Sequence, residues 1–262
     1  MKKMEWLSKV LLAILSICLV AGMATGVQAG EYSFGAGVAF APDYEGSSDY
    51  SSVVIPFGMA KFDNGMYVRL EGPYARANLI PGSWVSWLEA GLSYNYRPSR
   101  SRVDNDQVSA MKNISDANEL GAFVGVNYNN WYARLEYLED VGNAYNGWTT
   151  ELKAGYNWII DPKWRMLISG RATYANSDYM DTYFGVNPAN VLSSGLPLYA
   201  ADSGVKDAGV ELRLSWNFWN QFSALGILDY ARLLNDADES SPVTNEGSAN
   251  QFIGGLVLLY SF

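Results

Sequence analysis

No histidine occurs anywhere in the 262 residues. That absence removes Ser–His and Cys–His nucleophile pairs, histidine metal sites and the commonest general base. Catalysis would have to run on carboxylates or a Ser–Lys pair, and the chain is read as non-enzymatic. Cysteine is almost missing too: Cys18 is the one thiol. It lies in a leader expected to be cleaved, so the rest can form neither a disulfide nor a cysteine metal or redox site. Cations are outnumbered, with 18 basic residues to 27 acidic and a formal net charge of −9. The excess of acid grows when Lys2, Lys3, Lys9 and Glu5 leave with the leader. Such a surface repels nucleic acid, and no nucleic-acid partner is expected. Finally, nothing after Ala29 approaches the ~20 consecutive apolar residues that a membrane-spanning helix needs.

The start of the chain supplies a compartment instead. "MKK" with Lys9 forms a cationic segment, Val10 to Val20 an apolar one, and Val27-Gln28-Ala29 offers small residues at the cleavage positions. This pattern is that of a Sec signal peptide over residues 1–29, cut between Ala29 and Gly30. No linker, low-complexity tract or composition shift divides residues 30–262, which are read as one domain.

Within that domain 49% of the whole chain's residues being hydrophobic and 14% aromatic is explained by alternation. "YSFGAGVAFA" places Tyr32, Phe34, Ala36, Val38 and Phe40 on one face, as a strand of period two does. "WVSWLEAGLSYNYR", "LGAFVGVNY", "WYARLEYL", "WTTELKAGYNW", "WRMLISGRATYA", "AGVELRLSWNF" and "FSALGILDY" repeat the rhythm. Each is about ten residues long, the length of a tilted strand crossing a bilayer, and tryptophans gather at segment ends as in an interfacial belt. A soluble β-sandwich also alternates, but it explains neither the end-placed aromatics nor the secretion signal.

Gly72-Pro73 interrupts the stretch from Met66 to Leu79, and proline is excluded from the middle of a sheet. Splitting there yields about twelve strands, an all-β, antiparallel, up-and-down transmembrane barrel with both termini in the periplasm. "FDNG", "IPGS", "NN", "IDPK" and "WNQ" become periplasmic turns. The long connections Pro98 to Asn118, Asn176 to Asp207 and Leu234 to Ser248 fall outside. The closing "GGLVLLYSF", with Tyr260 and Phe262 in register, reads as a barrel-assembly signal.

The same alternation points Arg69, Arg76, Arg97, Arg134, Lys153, Arg165, Arg171 and Arg213 inward, against Glu71, Glu89, Glu136, Glu151, Glu211 and Asp229. A pore for acidic solutes would be lined mainly by cations. Near balance predicts pairs crossing a narrow lumen. Metal and cofactor signals are weak: "DADES" at Asp236 to Ser240 begins like a calcium loop, but Ser241 and Gly247 stand where its glycine and bidentate glutamate belong. No metal, cofactor or catalytic residue is expected.

Six pieces together are similar to one family. "YFGV" (Tyr183, Phe184, Gly185, Val186), "SGLPLY" (Ser194, Gly195, Leu196, Pro197, Leu198, Tyr199) and "GVKD" (ending Lys206, Asp207) resemble the motif block of the MipA/OmpV family, the MltA-interacting proteins. "PDYEGS" at Pro42 to Ser47, "NDADESSPV" at Asn235 to Val243 and the terminal "YSF" agree with it. The resemblance implies an integral protein of the Gram-negative outer membrane, in contact with lipid, lipopolysaccharide and the barrel-assembly machinery. It also implies a scaffold for a murein transglycosylase and a peptidoglycan synthase, with a narrow diffusion channel or a surface adhesin as alternatives. The apolar residues of Asn176 to Asp207, among them Tyr179, Leu192 and Leu198, are expected to fold inward and plug the mouth.

Overall fold

The computed structural model describes residues 29–262. The expected leader, through residue 28, lies outside them. Twelve strands close into one antiparallel barrel: β1 (Ala29–Pro42), β2 (Tyr50–Phe62), β3 (Tyr67–Glu71), β4 (Tyr74–Asn78), β5 (Leu88–Arg97), β6 (Ala117–Tyr128), β7 (Trp131–Asp140), β8 (Trp148–Ile159), β9 (Trp164–Ala175), β10 (Gly204–Trp219), β11 (Phe222–Leu233) and β12 (Asn250–Ser261). Each strand pairs with its chain neighbours, and β1 pairs with β12 to complete the ring.

Period two sorts the side chains. Leu120, Val124, Val126 and Tyr128 on β6 are exposed on the outer wall, while Ala117, Glu119 and Phe123 on the alternate positions are buried. Leu256 and Leu258 on β12 are exposed and Val257 is buried. An apolar outer surface of this extent suits lipid rather than water. Two rows of rings flank it. At the end holding the termini, Trp164 stacks on Trp216 at 5.3 Å and Phe222 meets Tyr260 at 5.1 Å. At the opposite end, Trp148 stacks on Tyr174 at 5.7 Å and Tyr230 meets Phe252 at 4.8 Å.

The turns at the termini end are tight because asparagine and glycine accept left-handed backbone: Asn129 (φ 53°) and Asn220 (φ 37°) make two-residue turns, and Gly65 (φ 87°) sits in the four-residue turn between β2 and β3. The split at Gly72-Pro73 is present, with Gly72 at φ 57° forming the tip of a short hairpin between β3 and β4. One boundary differs from expectation. Alternation from Trp84 onward predicts strand, yet β5 starts at Leu88 and Trp84 and Trp87 lie in the connection, both exposed. Asn78 is the reason. Its side chain accepts from Ile80 N and Ala90 N and donates to Ile80 O, taking the bonds that further ladder would make.

The interior is divided. Along β1, β2, β11 and β12 the inner wall is apolar, built on Phe57, Leu225, Ile227 and Val257. Along β3 to β10 it is charged. The long connections at the loop end carry α1 (Asp106–Ala110), α2 (Ser177–Phe184), α3 (Pro188–Ser194), α4 (Pro242–Asn245) and a 3₁₀ turn at Asn235–Ala237.

Candidate functional site: the capped lumen

The cap over the barrel mouth is built around α2. Asn176 is its N-cap, accepting from Tyr179 N at 3.3 Å and from Trp148 N at 2.9 Å, which ties the helix start to the rim of β8. The helix buries Tyr179, Met180, Tyr183 and Phe184. They pack with Ile114, Tyr145, Leu233 and Ala237 from other strand ends and loops, so one apolar core joins segments far apart in sequence. The carbonyls at the end of α2 have no partner within the helix. Arg100 Nη1 donates to Tyr183 O at 2.6 Å and Ser241 Oγ donates to Phe184 O at 2.7 Å. Burial pushes the Arg100 guanidinium down to about 10.

The motif residues lie in this cap. Gly185 ends α2 where any Cβ would collide with the Asp181 carbonyl and carboxylate. Val186 and Tyr199 then exchange backbone bonds of 2.8 and 3.1 Å, zipping "YFGV" to "SGLPLY". Ser194 closes α3 through a bond from its Oγ to Asn190 O, and Gly195 (φ 75°) turns the chain before Pro197. Leu196 is buried. Two expectations fail: Leu192 is 90% exposed and Leu198 67%, because both point away from the core formed by α2.

Beneath α2 sits an ionic layer. Glu45, from the connection after β1, accepts from the Tyr179 hydroxyl at 2.6 Å, Lys206 Nζ at 2.9 Å and Arg97 Nη1 at 3.1 Å. Burial by itself would raise the Glu45 carboxyl, but Lys206, Arg97 and the Tyr179 hydroxyl together hold it down to about 2. The Arg97 guanidinium lies over the rings of Tyr179 and Tyr183 at 5.1 and 5.5 Å. Its Nε meets Glu119 at 2.8 Å, and the Tyr145 hydroxyl donates to the same carboxylate. A register shift between Val205 and Asp207 brings Lys206 and Asp207 together on the inside, 2.6 Å apart. Asp207 in turn meets Arg171 at 2.6 Å.

Below this layer lies a cavity of about 600 Å³, whose lining runs from Glu45 and Lys206 under the cap to Asn127, Tyr132 and Asn157 near the turns at the termini end. Expected inward charges meet in it as pairs: Lys153 with Glu211 at 3.0 Å, Arg171 with Asp229 at 2.7 Å, and Arg213 with both Glu71 and Glu211. Arg165 is the outlier, inward by register but exposed and outside the cavity lining. Glu45, Glu119 and Tyr145 were missed by sequence reasoning. Glu119 continues the inward period of β6, a signal that was present. Glu45 lies within the family-like piece "PDYEGS", which marks the segment but not the role of its carboxylate, and nothing local marks Tyr145.

Tyr260 and Phe262 sit at the seam: Phe262 stacks on Tyr32 at 5.3 Å and exchanges backbone bonds with it. Ala29 opens β1 beside Gly30.

Among solved structures, an outer membrane channel from Pseudomonas putida F1 is similar at 13% identity and a TM-score of 0.44, covering 91% of this chain and 97% of that one. The channel DcaP of Acinetobacter baumannii is similar at 10% identity and 0.39, covering 90% and 97%. The N-terminal β-barrel domain of Pseudomonas aeruginosa OprF is similar at 16% identity and 0.30, covering 67% and 96%. No curated protein matches. The family profile of MltA-interacting protein MipA matches residues 34–262, nearly the whole described chain. A closed twelve-stranded barrel with its motif block folded into a cap is thus the form taken here by a member of the MltA-interacting protein MipA family, to which this chain belongs.

Proposed function

We propose that the protein is a non-enzymatic interaction protein of the Gram-negative outer membrane, closed to solutes at rest, that holds murein-remodelling enzymes on its periplasmic side. The observation that carries the closed state is the seal formed by α2 and the Glu45 cluster, where five loops and β10 lock over the lumen. A diffusion channel would need that core to be absent or loose. In this reading the signal peptide over 1–29 directs export, the barrel-assembly machinery reads Tyr260 and Phe262, and the termini and short turns lie in the periplasm. The caps lie outside, among lipopolysaccharide.

The family name supports a murein transglycosylase as partner. A peptidoglycan synthase is the second partner proposed. The face available to both is the termini end, whose longest connection, Leu79 to Trp87, presents Trp84 at 77% and Trp87 at 55% exposure. Exposed aromatics of this kind serve as interface anchors. Two measurements test the reading: planar-bilayer conductance of the purified barrel, expected to be silent, and a pulldown of purified transglycosylase. An open-porin conductance, or no retention of enzyme by an assembled barrel, overturns it.

A further inference from the structure

The cations lining the cavity are not equally provided for. Arg69, Arg171 and Arg213 each stand 2.6 Å from a carboxylate and Lys153 stands 3.0 Å from one. Arg76 and Arg134 differ. Among the described residues Arg76 has no carboxylate within ion-pair distance. Its guanidinium instead lies 5.0 Å from the Phe123 ring centre and 5.7 Å from that of Tyr67. Arg134 reaches Glu151 only at 3.9 Å. Nε and Nη1 of Arg76 and Nε of Arg134 are buried with no acceptor.

The nearby acids do not remedy this. Glu136 accepts from the hydroxyls of Tyr74 and Ser93, and Glu89 accepts from the Tyr67 hydroxyl at 2.9 Å. Hydroxyls are thus bonded to the acids where guanidinium would be the stronger donor. Leaving N–H groups of a buried cation unpaired is costly, and both side chains line a cavity with room for a small molecule. The cap closes its upper end, and the lining continues toward the termini end. There Gly125, inward-facing between Phe123 and Asn127 on β6, adds no side chain to the wall.

From this geometry we infer that the lumen is a blind, anion-binding vestibule in which Arg76 and Arg134 together hold a small organic acid or phosphate ester that enters from the termini end. The planar fork of each guanidinium supplies paired donors to a carboxylate or phosphate. The neighbouring carboxylates set an upper limit on ligand charge and favour a mono- or dianion over a polyanion. This inference is independent of docking by murein enzymes, since it concerns the barrel alone.

The test is calorimetric titration of the purified, folded barrel in detergent with succinate, inorganic phosphate and, as a neutral control, glucose. Binding of succinate or phosphate at one site is expected, and the tighter of the two identifies the acid class. R76M and R134M should each weaken it by roughly tenfold or more, the loss of a charge-assisted bond. R76K should retain part of the affinity, and R165M should leave it unchanged. Because methionine removes orphaned donors, both methionine variants should stay folded, which the gel-mobility shift on boiling checks. Succinate and phosphate that fail to bind a folded wild-type barrel, or that bind it and the arginine variants equally, overturn the inference. So does glucose binding with the same arginine dependence.

Discussion

Arg213 on β10 and Glu71 on β3 meet at 2.6 Å across the lumen, joining two strands that are not neighbours in the sheet. Arg213 also donates to Glu211, which holds Lys153, and Glu71 also accepts from Arg69, so the bridge lies within a five-residue chain of charge. With Lys153–Glu211 and Arg171–Asp229, which also skip a strand, it braces the barrel beyond the ladder bonds between neighbouring strands. Removing Arg213 leaves Glu71 with Arg69 alone and Glu211 with Lys153 alone on a largely buried wall, and severs the link between them. R213A should therefore lower stability by about 1.5–3 kcal/mol, the worth of a hydrogen bond to a charged group. The temperature at which the barrel loses its compact gel mobility should fall, and an unchanged transition would show the bridge to be solvated and idle.

The cap can be removed without cutting a membrane strand in two. Excising Ser177 to Lys206 takes away α2, α3 and the start of β10, with the Tyr179 and Lys206 partners of Glu45. The shortened protein should still assemble, conduct in planar bilayers and admit small hydrophilic antibiotics. A silent excised barrel would place the constriction lower, among the lumen charges.

The seal should resist acid. Glu45 is held at about 2 in the folded cap against an ordinary value of 4.5. A carboxylate with a depressed value contributes stability that is complete above its unfolded value and is lost as pH falls through the folded one. Conductance should stay silent through mildly acidic pH and appear only on approach to pH 2. The E45Q variant, which keeps the shape and removes the charge, should open at neutral pH. Opening of the unaltered protein near pH 4.5 would contradict the assignment.

Phe262 closes the seam on Tyr32 through ring stacking and two backbone bonds. Changing it to Asp puts a charge at the lipid boundary, at a cost of about 1 kcal/mol or more depending on depth, and spoils the proposed assembly signal. F262D should be synthesised normally but reach the outer membrane at a small fraction of the usual level, measured as the heat-modifiable species in membrane fractions. Normal surface levels would remove Phe262 from that role.

A partner surface at the termini end makes a further expectation. W84A should leave assembly and heat modifiability intact while weakening retention of the murein transglycosylase. If assembly falls together with retention, Trp84 anchors the barrel at the lipid interface instead.

Period-two alternation is a local property, so Leu120, Val124 and Val126 could be placed outward and Arg213, Glu71 and Glu211 inward from sequence alone. The break at Gly72-Pro73 was equally legible, because proline cannot donate to a ladder. The family motifs marked the loop that became the cap, and its apolar content required burial. Which residues meet inside could not be read this way. Glu45 and Lys206 are brought to 2.9 Å by ring closure and by a bulge at Val205, neither of which has a local signature. The same holds for the contrast between Arg171, which finds two carboxylates, and Arg76, which finds two aromatic rings. Alternation assigns a side chain to a face of its strand. The stagger of twelve strands around the barrel, a collective outcome of all the registers, assigns its neighbour across the lumen.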